Sequence, residues 1–337
     1  MALIECSNIS KEFKIYKREK GFLKAVASMF HRDYEIKKAI EDISFNIDEG
    51  EVVGYLGSNG AGKSTTLKIL SGILTPSHGT AKVKGLIPYH QRKKNAMNIG
   101  AVFGQRTQLN WDLPVIDSYN LYRYMYDINP NKFKENLNYF IELMEMGSFC
   151  NKPVRQLSLG QKMRAELVGA LLHDPVILYL DEPTIGLDVV AKDTMRKFIK
   201  QISVEKNTTV ILTTHDIADV EAVCNRIILI DKGQKIYDGQ TEAFKKDLGG
   251  RDELTIEFAS DNFNVEHSIA DIIRKEGRVV TFGFSADEIS VATIISAVAA
   301  DNQIVDIQIK PCGIEDVLKL VYKEAAMPLF TDSGETP

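Results

Sequence analysis

Val52-Val53-Gly54-Tyr55-Leu56-Gly57-Ser58-Asn59-Gly60-Ala61-Gly62-Lys63-Ser64-Thr65-Thr66-Leu67 decides the fold. An apolar run suited to a buried strand leads into G-x-x-x-x-G-K-[ST], Gly57 to Ser64, and a helical pattern follows. That flanking turns a glycine-rich stretch into a phosphate cradle. Glycines at 57, 60 and 62 let the backbone turn tightly so that its N–H groups point inward. The helix from about Gly62 adds the positive end of its dipole. Lys63 supplies a cation for the β- and γ-phosphates, and Ser64 offers a hydroxyl to a magnesium ion that keeps most of its waters.

Outward from this stretch, the bulk composition narrows the class. The 337 residues suffice for two domains, and 44% hydrophobic with 26% charged residues is the balance of a globular protein with an ample core. A net charge of −5 gives no overall basic field for nucleic acid. Cys6, Cys150, Cys224 and Cys312 lie far apart without C-x-x-C, which suits free thiols in a reducing compartment. No apolar run approaches the ~20 residues of a spanning helix, and the N-terminus lacks a signal pattern. A cytosolic chain is expected, with any membrane role exercised through a partner.

Taken in order, residues 2–9 read as a short strand. Lys14 to Lys38 then carries eight Lys/Arg against three Asp/Glu, a local +5, with Phe22, Leu23, Val26, Met29 and Phe30 at helical spacing. Such a basic amphipathic insertion suits anionic lipid or a partner surface, or packing on its own domain. Residues 40–47 alternate as a strand. Residues 105–172 form a helix-rich stretch in which Leu157-Ser158-Leu159-Gly160-Gln161 opens a helix with Ser158 as N-cap. Val176 to Leu180 is a buried strand ending in Asp181-Glu182. Asp181 sits where a magnesium-holding acid belongs, and Glu182 where a base for an attacking water belongs. Thr209 to Thr213 is a further strand with His215 just beyond it.

The ordered set is specific. The loop at 57–64, Gln105, Leu157-Ser158-Leu159-Gly160-Gln161, Asp181-Glu182, Leu187-Asp188 and His215 together resemble the ATP-binding cassette (ABC) ATPases over about residues 1–240. The implied fold is an α/β P-loop ATPase domain with a helical subdomain at about 105–172. The resemblance implies ATP and Mg2+ as ligands. It assigns nucleotide binding to Gly57, Ser58, Asn59, Gly60, Ala61, Gly62, Lys63, Ser64 and Thr65. Ser64, Gln105 and Asp181 would serve the metal. Glu182 would be the catalytic base, His215 the γ-phosphate clamp and Gln105 the sensor of a membrane partner. Ser158, Gly160, Gln161 and Asp188 would act across a head-to-tail dimer on the nucleotide of the other subunit. Leu159 stands where the family commonly has glycine. Phe13 is the best match for the adenine-stacking ring, with Tyr16 as the alternative.

Gly104-Gln105-Arg106-Thr107-Gln108-Leu109 with Trp111-Asp112-Leu113-Pro114, and Asp181 to Val190, are similar to the ATPase subunits of bacterial drug, antibiotic or viologen-type exporters. These have separate permeases. The resemblance implies an ATP-hydrolysing subunit at the cytoplasmic face of the membrane, paired with one or two integral permease subunits and exporting a drug-like or other small molecule. The basic insertion resembles this branch and the polysaccharide exporters, so Phe22, Val26 and Phe30 are expected at permease or headgroups. A cassette ATPase acting on ribosomes or DNA is the alternative, although the chain lacks a second cassette and a long coiled coil.

Beyond Gly239 the pattern changes. Residues 241–252 read as a linker and 253–325 as a small α+β domain. Its expected order is strand 254–258, helix 266–276, strands 278–284 and 288–292, helix 293–300, strand 303–310 and helix 314–324. This β-α-β-β-α-β order is ferredoxin-like and speaks against a β-sandwich carbohydrate-binding extension. Residues 326–337 read as a frayed tail.

Overall fold

The computed structural model describes residues 2–16, 34–104, 107–214, 216–265, 270–285 and 287–326. The chain forms two compact units, Met1–Gln240 and Thr241–Pro337.

In the first unit the order is β1 Ile4–Tyr16, β2 Tyr34–Ile47, β3 Val52–Gly57, α1 Lys63–Leu70, β4 His78–Val83, α2 Arg92–Ala96, β5 Ile99–Phe103, α3 Val115–Met125 and α4 Pro130–Leu143. A 3-10 turn, Val154–Gln156, precedes α5 Leu159–Leu171, β6 Ile177–Asp181, α6 Val189–Lys206, β7 Thr209–Thr213, α7 Ile217–Val223, β8 Arg226–Asp231 and β9 Gln234–Gln240.

Its central sheet runs β5-β6-β7-β3-β8-β9, parallel except for the antiparallel edge strand β9. Strands β3, β6 and β7 are buried along nearly their whole length. Parallel strands covered on both faces need such continuous apolar runs. The register Tyr55↔Thr213 and Asp181↔Thr213 ends β6 and β7 level with Tyr55 and carries β3 two residues further along the same edge, to Gly57. In open parallel sheets that edge is where ligands bind.

A three-stranded antiparallel sheet, β2-β1-β4, packs through Ile4, Ile9, Ile43 and Phe45 into the same core as Tyr55, Leu67 and Tyr179. The β1–β2 hairpin runs further than its apolar alternation suggests. Pairing continues from Phe13↔Lys37 to Tyr16↔Tyr34, so the ends of the basic stretch at 14–16 and 34–38 are strand. Cross-strand contacts stabilise this solvated portion, including the Lys14 ammonium 4.8 Å from the Tyr34 ring centre. Phe22, Leu23, Val26, Met29 and Phe30 lie outside the described residues.

The second unit comprises α8 Thr241–Asp247, β10 Asp252–Phe258, β11 Asp271–Glu276, β12 Val279–Phe284, α9 Val291–Asp301, β13 Ile304–Lys310 and α10 Ile314–Ala326. Its antiparallel sheet, β11-β12-β10-β13, buries Leu254, Ile256, Phe258, Phe282 and Phe284 against Ile294 and Val298. The order departs from the β-α-β-β-α-β expectation in three places. The linker at 241–252 is in part the helix α8, anchored by buried Phe244. Residues 271–276 are an edge strand on β12 rather than the end of a helix; residues 266–269 lie outside the described set. Arg274, Lys275 and Glu276 are the charges an exposed strand edge tolerates, and they imitate the polar face of a helix. Ser290 accepts the Thr293 N–H as an N-cap, so the expected strand at 288–292 turns instead into α9.

Candidate functional site

Elements meet at the C-terminal edge of the central sheet. The turn after β3 is shaped by two positions that exclude a side chain. A Cβ at Gly57 would lie 2.5 Å from the Ile230 carbonyl oxygen. Gly62 has φ +112°, and a Cβ there would come within 2.4 Å of Ile40 Cγ2. The turn is fastened by Ala61 N–H to Ser58 O at 3.1 Å, Gly233 N–H to Ala61 O at 3.1 Å and Ser58 Oγ to Asp231 Oδ1 at 2.8 Å. Asn59 and Gly60 remain exposed at its tip, and Thr65 is half-buried on α1.

Lys63 is buried, yet its ammonium is held only by carbonyls among the bonds described, Gly57 O at 2.7 Å and Ser58 O at 3.2 Å. Burial lowers its pKa, while Glu182 and Asp181 pull the other way. A cation folded back onto its own loop at a helix N-terminus suits an anionic phosphate.

Ser64 Oγ donates to Asp181 Oδ1 at 3.2 Å, and Thr213 Oγ1 donates to the same oxygen at 2.5 Å. A hydroxyl and a carboxylate converging beside Lys63 fit a magnesium ion bound by few protein ligands. Just beyond Asp181, Glu182 takes φ +54°, an uncommon region for a non-glycine residue, and its N–H donates to Thr213 O at 2.9 Å. Glu182, Ile185, Gly186, Lys192 and Asp216 line a cavity of about 320 Å3.

Behind this cavity, buried Asp219 accepts from the Thr184 hydroxyl, from Arg196 Nε at 2.7 Å and from Thr214 Oγ1 at 3.3 Å. Asp216 N-caps α7 through Ala218 N–H and pairs with Lys192. Burial pushes the Asp216 carboxyl up; Lys192, the Ala218 N–H and Arg196 more than offset that and hold it below the usual carboxylate range. These bonds fix both neighbours of His215. His215 and Gln105 themselves lie outside the described residues.

Ser158 and Gln161 form a reciprocal capping box at the start of α5: Ser158 Oγ accepts from Gln161 N–H at 3.2 Å, and Gln161 Oε1 from Ser158 N–H at 3.0 Å. Leu159 is exposed, and a Cβ at Gly160 would lie 3.2 Å from Ala191 Cβ. Asp188 caps α6 by accepting Ala191 N–H at 2.8 Å. These residues therefore gather at the facing starts of α5 and α6. Phe13 is exposed on β1 with Lys11 Nζ 5.4 Å from its ring centre, and its cross-strand partner is Lys37, two residues from Ala39 beside Gly62.

Sequence reasoning passed over Thr213, Asp219, Asp231, Thr107 and Glu166. Each is an ordinary polar residue whose partner is distant in the chain. The only local signal was polar side chains set in or next to apolar runs, at Thr213, Asp231 and Glu166.

Comparison with known proteins agrees with this geometry. The ABC transporter family profile matches residues 40–185. The ABC transporter ATP-binding protein NatA of Bacillus subtilis (strain 168) is 33% identical over 214 residues, which are 64% of this chain and 87% of NatA. The Nod factor export ATP-binding protein I of Cupriavidus metallidurans is 34% identical over 202 residues, 60% of this chain and 66% of that protein. A dimeric post-hydrolysis structure of the cassette MJ0796 with ADP and Pi superposes with TM-score 0.59 at 25% identity, covering 70% of this chain and 98% of that one. The cbiO1 structure from Clostridium perfringens, part of a cbiONQ transporter complex, gives TM-score 0.59 at 27% identity over 73% and 92%. The chain belongs to the ABC transporter family and is an ATP-hydrolysing cassette of that family.

Proposed function

We propose that this cassette is the energising subunit of an exporter, held at the cytoplasmic face of a membrane by one or two separate permease subunits. The convergence of Lys63, Ser64, Asp181 and Glu182 on one edge of the sheet carries the ATPase side of the reading. The resemblance at 104–114 and 181–190, and the Nod factor export relative, support export. A drug-like or other small molecule is the cargo class the resemblance favours.

In this reading the N–H groups at 57–65 and the Lys63 ammonium bind the β- and γ-phosphates, and Phe13 stacks on the adenine. Magnesium, when bound by Ser64 and Asp181 with Gln105 nearby, neutralises phosphate charge. Glu182 takes a proton from the attacking water, and His215 is the residue the resemblance gives as the γ-phosphate clamp. The +54° φ of Glu182 breaks the strand just after Asp181, and Glu182 lines the cavity shared with Lys192 and Asp216. Ser158, Gly160, Gln161 and Asp188 close over the nucleotide of a second copy in a head-to-tail dimer. Their clustering at the facing starts of α5 and α6 supports that division of labour.

An open groove of about 400 Å3, lined by residues including Ile73 and Ile99 and, before and after Gln105 in the chain, Phe103, Thr107 and Gln108, is the face assigned to the permease. ATP-dependent association tests the reading. Glu182→Gln is expected to sediment as a dimer with ATP and as a monomer without it. A monomer at saturating ATP would overturn the head-to-tail mechanism.

A further inference from the structure

Glu166 lies on α5, two turns beyond Ser158, and its carboxylate is buried. Packing alone would be served there by an aliphatic side chain, because an unpaired buried carboxylate is costly. One oxygen of this carboxylate instead collects three donors. Its Oε1 accepts from the Thr107 hydroxyl, from Gln108 N–H at 2.9 Å and from Leu109 N–H at 3.4 Å.

The same short segment is tied on its other sides. Gln108 Nε2 donates to Ala101 O of β5 at 2.8 Å, and Tyr122 Oη of α3 donates to Gln108 O at 2.8 Å. Fully buried Tyr119 donates to Ala165 O, next to Glu166, at 2.8 Å. Gly169 brings α5 against these rings, since a Cβ there would lie 3.0 Å from Tyr122 Cε2. Burial pushes the Glu166 carboxyl above its usual range, against the pull of the Thr107, Gln108 and Leu109 donors.

We infer that Glu166 is a positioning residue: by locking residues 107–109 to α5 it holds the Ser158 and Gly160 end of that helix in place to close on the nucleotide of the second copy. The inference rests on the dimeric reading above. The capping box that orients Ser158 opens the same helix that carries Glu166. A buried polar cluster holds its members in place because they cannot re-pair without leaving an N–H unsatisfied. Gln in place of Glu keeps the accepting oxygen; Ala removes it and strands the Gln108 N–H, while the Leu109 N–H keeps a bond to Thr107 Oγ1 at 3.3 Å.

The test uses the full chain carrying Glu182→Gln, alone and combined with Glu166→Gln, Glu166→Ala or Thr107→Val. Affinity for MgADP reports on the chain's own phosphate loop, and sedimentation with ATP reports on closure of the pair. Glu166→Ala is expected to keep MgADP affinity within about twofold while its dimer dissociation constant rises about tenfold, the scale of one stranded N–H group. Glu166→Gln is expected to restore dimerisation to within about threefold of the parent, and Thr107→Val to fall between. Unchanged dimerisation in Glu166→Ala would overturn the proposal. So would a joint loss of MgADP affinity and dimerisation in Glu166→Ala that Gln does not rescue, since that pattern is general misfolding. A parent that fails to dimerise would overturn the dimeric reading itself, and this proposal with it.

Discussion

Ser64 Oγ donates to Asp181 Oδ1 at 3.2 Å, joining the first turn of α1 to the end of β6 across 117 positions of sequence. The bond exists because β3 and β6 both pair with β7 in parallel, Tyr55 and Asp181 each lying opposite Thr213, so that both strands end on the same edge of the sheet. The two apolar strands therefore bring a hydroxyl and a carboxylate to the same place beside the Lys63 ammonium.

Lys63→Ala removes the buried cation and its bonds to the Gly57 and Ser58 carbonyls, of which Ser58 O keeps the Ala61 N–H. Affinity for MgATP is expected to fall about ten- to hundredfold, the range of a charge-assisted hydrogen bond. Fluorescent nucleotide titration checks this. Undiminished affinity would mean that the backbone N–H groups alone hold the phosphates.

Glu182→Gln keeps the shape of the side chain and removes its basicity. Turnover is expected to fall about 10²-fold or more, the usual contribution of a positioned base, with nucleotide affinity retained. Phosphate release measured alongside nucleotide binding separates the two effects. Near-normal turnover would remove Glu182 from the mechanism.

Asp216→Asn tests the support around His215. The folded carboxyl has a pKa below its unfolded value of about 3.9, so the unfolded chain takes up the proton more readily. Its contribution to stability is present above that unfolded value and lost as pH falls through the lower folded one. Acid unfolding followed by circular dichroism is therefore expected to begin at higher pH in the parent than the substituted chain's own loss of stability would suggest: the gap between the two proteins narrows as pH drops below about 4. A gap that stays constant down to pH of about 2 would show that the Lys192 pairing contributes nothing through charge.

Much of the first unit was legible because its decisive strands are short apolar runs bounded by glycine or acid, as at 52–57 and 177–181. The hairpin arms at 14–16 and 34–38 were not, because solvated strands carry lysines that erase the alternation. The second unit misled where polarity serves two structures equally: Arg274, Lys275 and Glu276 suit a strand edge as well as a helix face. At the site, Lys63, Ser64, Asp181 and Glu182 were readable from local motifs. Asp219, Glu166 and Thr213 were not, since their significance lies in partners that only the folded chain brings near.

Isolation of the tagged full chain from detergent-solubilised membranes, with mass spectrometry of what accompanies it, tests the central claim most directly. One or two multi-spanning proteins lacking an ATPase domain, co-purifying in fixed ratio and altering the ATP turnover of the chain, are the predicted result. Recovery only from the soluble fraction, with ribosomal or DNA-associated partners, would contradict the account and leave an ATPase of a different purpose.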